Sequence, residues 1–168
     1  MYAGPPLGDG DVLLTAPDLH ALAAVETGEA DEGGPWARWR QRAASTDGTI
    51  VYFAVEARGR PVGEVFIHDI DASSRSGLVG YRIFDVVDRR SGIATEALGL
   101  LVAWIEAQGS LDRLIGIART DNTASCRLLQ RAGFLRLGPA REDARRTVHE
   151  LILDRARLDE AGTGVVGD

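Results

Sequence analysis

The sequence predicts a mixed α/β fold, one central mixed sheet flanked by helices. Three observations carry that expectation. GLVGYRIFDVV at 77–87 alternates and is rich in β-branched and aromatic residues, as a strand is. Just beyond it, TEALGLLVAWIEAQG at 95–109 continues a pattern in which Ile93, Ala97, Leu98, Leu101, Val102 and Ile105 recur at helical spacing. That is the stripe of an amphipathic helix laid on a sheet. The segments as a whole run β-α-α-β-β-β-α-β-α-β-β, the order of a layered α/β domain.

Taken in order, residues 1–10 are rich in glycine and proline and expected to be loose. Residues 11–14 suit a short strand. Thr15 and Asp18 have the spacing of a helix cap and its reciprocal partner, with Pro17 fit for a first turn, so a helix is expected through about residue 26. Residues 26–35 carry four acids and three glycines and read as a loop, and 36–45 as a second short helix. Residues 49–57 and 61–70 flank the turn RGR as a β-hairpin. DASSRS is a polar turn before the strand at 77–87. After the long helix, 113–118 is a short apolar strand. Residues 122–132 form a helix that Gly133 ends as its C′ residue. Residues 134–137 and 147–153 are strands joined by the charged loop 138–146, and the tail after about 155 is expected to be flexible. No repeat interrupts the chain, which reads as one domain over 1–168 with its core at about 11–155.

Composition narrows the function. The chain has 168 residues and is 45% hydrophobic, enough for a sizeable core. No apolar run reaches the ~18–20 residues a membrane span needs, and the N-terminus lacks the basic and apolar regions of a signal peptide. One cysteine, Cys126, leaves no intrachain disulfide, and the chain is expected to be cytoplasmic. All 19 basic residues are arginine, which removes lysine Schiff-base chemistry. A net charge of −6 disfavours nucleic acid as a partner. The charge is uneven. Residues 1–88 hold 7 arginines against 14 acids, a net −7, while 89–168 hold 12 against 11, a net +1.

The less acidic half contains Arg89-Arg90-Ser91-Gly92-Ile93-Ala94. A strand that turns through glycine into a helix leaves several backbone N–H groups unpaired and aimed one way. With the positive end of the helix and two arginines, they form a seat for a phosphate or pyrophosphate.

RRSGIA fits the Arg/Gln-x-x-Gly-x-Gly/Ala motif of the GNAT superfamily of N-acetyltransferases. The surrounding GYRIFDVVDRRSGIATEAL, and DNTASCRLLQRAGF at 121–134, resemble its RimJ/RimL-type branch. The resemblance covers roughly residues 11–155. Arg90 stands where many members have glycine, and Val86 where many have proline. The resemblance implies acetyl-CoA as acyl donor, no metal, and an amine acceptor: a protein or peptide N-terminal amine, or a small-molecule amine. The chain is expected to act as a monomer or homodimer.

It also assigns roles. The turn Arg89, Arg90, Ser91, Gly92, Ile93, Ala94, with Thr95 at the helix start, would grip the pyrophosphate. Backbone groups near Ile83 and Phe84 would pair with the pantetheine amides and the acyl oxygen. Asn122 would hold the pantetheine arm, and Ser125, one helical turn away and on the same face, would donate to the leaving thiolate. As plain helix chemistry, Asn122 is also a good cap and Ser125 a surface hydroxyl. Cys126 faces about 100° away from Ser125 and is expected to be buried and inert.

The general base is left open among Glu64, His68, Asp69, Tyr81, His149 and Glu150, with loss of the proton to water as another route. Trp36, Trp39 and Arg40 suit core packing or the rim of the acceptor site. Glu26, Glu29, Asp31 and Glu32 suit a solvated loop or an entrance that attracts a cationic acceptor. Arg82 is the obvious cation for a longer, acidic acyl donor such as succinyl-CoA. A non-catalytic acyl-CoA-binding module is the alternative from another class.

Overall fold

Seven strands form one sheet among the described residues of the computed structural model, which are 2–18, 22, 35–44 and 48–153. In chain order the elements are β1 (Val12–Thr15), α1 (Pro35–Ala44), β2 (Val51–Ala57), β3 (Arg60–Asp71), β4 (Ser76–Ile83), α2 (Ile93–Gln108), β5 (Arg113–Arg119), α3 (Thr123–Arg131), β6 (Leu135–Pro139) and β7 (Arg146–Ile152). The spatial order is β1-β2-β3-β4-β5-β7-β6. Only β4 and β5 pair in parallel; every other neighbour is antiparallel. The helix of 93–108 is the crossover that a parallel pair requires.

Alternation decides what each face buries. Val79, Tyr81 and Ile83 of β4 join Phe53, Val55, Val65 and Ile67 under α2, whose buried stripe is Ile93, Ala97, Leu98, Leu101 and Ile105. Val102 packs at the margin of that core. A second cluster on the opposite face joins Tyr52, Ala54 and Phe66 to Ala43 of α1 and to Leu22, with Trp39 and Phe84 packed against it.

Several expectations shift. The strand expected over 77–87 ends at Ile83, because Asp85 accepts from the Val87 N–H and starts a turn that leaves Val86 and Val87 exposed. Thr15 does not cap a helix: it ends β1, and its hydroxyl donates to Glu56 at 2.9 Å. The Leu22 N–H bonds to the Asp18 carbonyl there, but the remainder of that helix lies outside the described residues, as do the acidic loop 26–34 and the tail after 153. The N-terminal residues are tied down rather than loose. Leu7 and Leu14 exchange backbone bonds, and Tyr2 packs on Phe53 and Trp104.

Gly80 lies opposite Phe66 of the second cluster in the β3–β4 register. A Cβ there would come within 2.4 Å of the Phe66 ring. That ring is stacked on Tyr52, with centroids 4.9 Å apart, and flanked by Trp39, so it cannot swing aside. Gly80→Ala is therefore expected to destabilise the fold by about 1–3 kcal/mol, the usual cost of overpacking a filled core. Urea unfolding would check this, with the midpoint falling and the slope unchanged.

Candidate active site

The two halves of the sheet part company in its middle. β4 and β5 pair from Ser76↔Arg113 to Val79↔Gly116 and no further. Beyond that point Gly80–Ile83 stay with β3, and Ile117–Arg119 stay with β7. The gap opens a cleft of about 230 Å³ lined by Val79, Gly80, Tyr81, Gly116, Ile117, Ala118, Arg119, Asn122, Ser125 and Leu129. Gly116 makes room at the fork: a Cβ there would lie 2.5 Å from Leu129, so its absence lets α3 press onto β5.

The exposed edge of β4 carries usable backbone. Phe84 donates its N–H to the Val62 carbonyl at 3.0 Å, on the β3 side. Alternation then turns the N–H groups of Tyr81 and Ile83 toward the gap. Of the two residues singled out for pantetheine contacts, Ile83 thus offers an amide to the cleft while that of Phe84 is spent on β3. Both carbonyls accept from Arg89, whose Nε reaches Ile83 O at 3.0 Å and whose Nη2 reaches Phe84 O at 2.9 Å. Arg89 therefore pins the strand exit, a role invisible in its motif position.

The turn after β4 is stapled from below. Arg60 reaches both carboxylate oxygens of the buried Asp88, at 2.8 and 2.7 Å, and the Ser91 hydroxyl donates to the Asp88 carbonyl. Arg90 and Gly92 both take positive φ, 65° and 91°. Arg90 thus keeps the left-handed backbone that a glycine would adopt freely, at some cost in strain. The N–H of Thr95 and that of Glu96 both return to the Gly92 carbonyl. The N–H groups from Arg90 through Ala94 have no acceptor among the described residues. Five consecutive unpaired donors at a helix start are an arrangement that can bind an anion.

Asn122 and Ser125 sit across the cleft on α3. Asn122 is the N-cap, its side-chain oxygen accepting the Ser125 N–H at 3.1 Å. Its amide nitrogen is left facing solvent. The Ser125 hydroxyl lies 2.6 Å from the Tyr81 hydroxyl, a bond spanning the gap from α3 to β4. Burial pushes the Tyr81 phenol up to about 12, so it is a protonated donor rather than a base. Cys126 is half-buried, with its sulfur 3.7 Å from the Arg119 carbonyl, and it lines a separate concavity with Thr120, Thr123, Arg127, Gln130 and Arg136.

The other base candidates divide by geometry. Glu64 is fully buried, and its oxygens are taken by Arg40 at 3.0 and 3.3 Å and by the Tyr52 hydroxyl. Burial raises the Tyr52 phenol, which stays protonated and donates to that carboxylate. Glu150 pairs with Arg113 at 3.6 Å. His149 is fully buried on β7, opposite Gly116, and neither ring nitrogen has a partner among the described residues. His68 is half-buried on the Glu64 face of β3, its ring tilted against Trp39 with centroids 4.1 Å apart and its Nδ1 2.9 Å from an Asp69 oxygen. Asp69 is also bound by Arg42 at 2.7 Å. His68 thus keeps a neutral imidazole whose Nδ1–H donates to Asp69, but on the face away from the cleft; Glu64 is spent on Arg40 and Tyr52, and Tyr81 stays protonated. Arg82 is opposite Glu64 in register, so it projects to the face away from Tyr81 and the cleft. Trp36 side-chain placement lies outside the described residues. Among the described residues, no cluster of three His, Cys, Asp or Glu could hold a metal ion, and no helix is long and apolar enough to cross a membrane.

A family model described as an acetyltransferase (GNAT) domain matches residues 12–135. Curated proteins gave no match. Among solved structures the chain is similar to Mycobacterium smegmatis RimJ in complex with CoA-disulfide. Identity there is 22%, covering 94% of this chain and 93% of that one, with a TM-score of 0.72. It is also similar to RimL, the ribosomal L7/L12 α-N-protein acetyltransferase, in complex with coenzyme A, at 17% identity over 88% and 98% with a TM-score of 0.71. A third is a spermidine N-acetyltransferase SpeG chimera from Vibrio cholerae and hSSAT, at 14% identity over 86% and 96% with a TM-score of 0.69. At these identities the likeness to each is one of fold.

Burial holds His68 and His149 below the ordinary histidine pKa of 6.5, so both are neutral in the native state at neutral pH. As pH falls through about 6.5, the unfolded chain takes up protons that the folded chain refuses. Stability is therefore full above pH 7 and declines on acidification, by at most about 1.4 kcal/mol per pH unit for each histidine. Urea unfolding at pH 7.5 and 5.5 would measure this. His149→Leu is expected to lessen the difference between the two.

Proposed function

Because the chain belongs to the GNAT acetyltransferase family, we propose that it transfers the acetyl group of acetyl-CoA to a primary amine by direct attack in a ternary complex. One observation carries the reading: five free backbone donors stand at the exit of β4, beside a cleft that continues along the same strand. A cofactor with a pyrophosphate at one end and a thioester at the other fits that order of features. The seat from Arg89 to Ala94, with Thr95 behind it, takes the pyrophosphate. The N–H groups of Ile83 and Tyr81 donate to the pantetheine carbonyls and the acyl oxygen. Asn122 offers its amide nitrogen to the pantetheine arm, and Ser125 donates to the sulfur. Charge develops on sulfur only as the bond breaks, so a donor fixed there favours the transition state over bound substrate.

The acceptor is an amine in relatives whose names state it, a ribosomal protein for RimL and spermidine for SpeG. A ribosomal target in the first supports a cytoplasmic place of action. The net −7 of residues 1–88 supports a cationic acceptor, since a negative rim raises the local concentration of a positive amine. An acidic acyl chain is less well served, because Arg82 projects away from the cleft.

Thiol release from acetyl-CoA across a panel of protein N-terminal peptides, polyamines and small amines tests the reading; no release with any acceptor would overturn it. The cofactor seat is tested separately. Gly92→Ala must bear a side chain at φ 91°, which costs about 1 kcal/mol of stability, yet nothing stands within 4 Å of the added Cβ. Gly92→Glu adds a carboxylate beside the pyrophosphate. Calorimetry is expected to find acetyl-CoA binding largely kept in the first variant and lost in the second. Equal affinities in both would remove the seat from this turn.

A further inference from the structure

We propose that Tyr81 is a positioning residue, whose phenol fixes the Ser125 hydroxyl so that the serine's own proton points into the cleft at the departing sulfur. The inference rests on the acyl-transfer reading above and adds to it the group that orients the donor. A serine hydroxyl on a helix surface is a free rotor, and its proton is as ready to face water or the preceding turn as a substrate. Here the rotor is restrained. The Tyr81 oxygen lies 2.6 Å from Ser125 Oγ and 3.4 Å from the Ser125 carbonyl oxygen. A phenol is far more acidic than an alkanol, so the phenol donates in the short bond. The nearby carbonyl holds the phenol proton on the same side. With one lone pair of Oγ occupied, and no second partner for that hydroxyl among the described residues, its proton is uncommitted.

Both ends of this contact are held by the fold. The Tyr81 ring packs against the core under α2, on a strand that stays with β3. The Ser125 backbone is fixed by the Asn122 cap. Both residues line the one cleft between β4 and β5. The phenol is neutral through the working pH range, so the donor direction does not change with pH. In the reaction, the acceptor nitrogen forms its bond to the acyl carbon, and the carbon–sulfur bond breaks with its electron pair on sulfur. Ser125 stabilises that charge by a hydrogen bond. The proton shed by the new amide nitrogen ends on sulfur through water, so one proton leaves nitrogen and one thiol is formed. The Tyr81 phenol touches none of the reacting atoms and acts only through Ser125; the backbone amide of the same residue is left as it is in Tyr81→Phe.

The test is a double-mutant cycle on the full chain, with acetyl-CoA and the best acceptor from the panel. Tyr81→Phe keeps the ring and removes only the hydroxyl. It is expected to lower kcat about tenfold while leaving the KM and the calorimetric Kd for acetyl-CoA within twofold, and to have no further effect on kcat in the Ser125→Ala background. A purely structural role for Tyr81 would lower kcat by the same factor in both backgrounds, and that result overturns the inference. An unchanged kcat in Tyr81→Phe overturns it equally. A wild-type chain that binds acetyl-CoA but releases no thiol with any acceptor overturns the acyl-transfer reading and this inference together. Thiol release by the wild type with additive mutants overturns the inference alone.

Discussion

The parting of β4 from β5 at Val79 and Gly116 is the constraint on which the rest of the site depends. A parallel pair that stayed zipped would bury the amides of Tyr81 and Ile83 in its own ladder. Holding it open leaves buried or half-buried polar backbone unpaired, which is costly unless something else compensates. The chain compensates at several points. Arg89 satisfies the carbonyls of Ile83 and Phe84 at the strand exit, and the Tyr81–Ser125 bond ties β4 to α3 across the gap. Glycine at positions 80 and 116 lets Phe66 and Leu129 fill the space at the fork from opposite faces. The opening is thus held by packing and hydrogen bonds rather than by flexibility.

The face of the sheet away from the cleft is organised by a buried ion pair. Arg40 of α1 and Glu64 of β3 are almost wholly excluded from solvent, and Tyr52 adds a third bond to the carboxylate. Such a pair contributes little net stability, because desolvation offsets the attraction, but removing either partner strands a buried charge. Its consequence here is positional. The pair holds α1 over β2 and β3, and Trp39 of that helix in turn packs against His68. His68, whose imidazole is paired to Asp69, is therefore carried by a rigid wall of the sheet, on the face opposite the cleft.

Much of this architecture is legible in the sequence. The alternation in 77–83, the helical stripe from Ile93 to Ile105 and the glycine-bearing turn between them appear as expected, because each rests on local periodicity. The Asn122 cap and the spacing to Ser125 are local as well. What escaped is long-range. Nothing near Arg89 says that its guanidinium folds back onto the strand before it. Nothing near Tyr81 says that its hydroxyl meets a serine 44 positions later. Strand propensity in Val86 and Val87 extends the expected strand four residues too far, because it ignores the Asp85 side chain that accepts the Val87 N–H and turns both valines outward. Glu64, one of several possible bases by composition, is excluded only once Arg40 and Tyr52 are seen to occupy it.

The turn itself shows how substitution within a motif can leave its geometry intact. Arg90 takes the φ of 65° that glycine would adopt without strain. A side chain in that region costs on the order of 1 kcal/mol, so the arrangement persists only if the surroundings hold it. They do so from both sides. Arg60 and Ser91 clamp Asp88 two residues before, and the Gly92 carbonyl collects two N–H groups just after. With its backbone so fixed, the Arg90 side chain is left exposed beside five unpaired amides. A conformation that is locally unfavourable thereby puts a cation next to the row of unpaired donors, and strain at one residue becomes part of an arrangement suited to an anion.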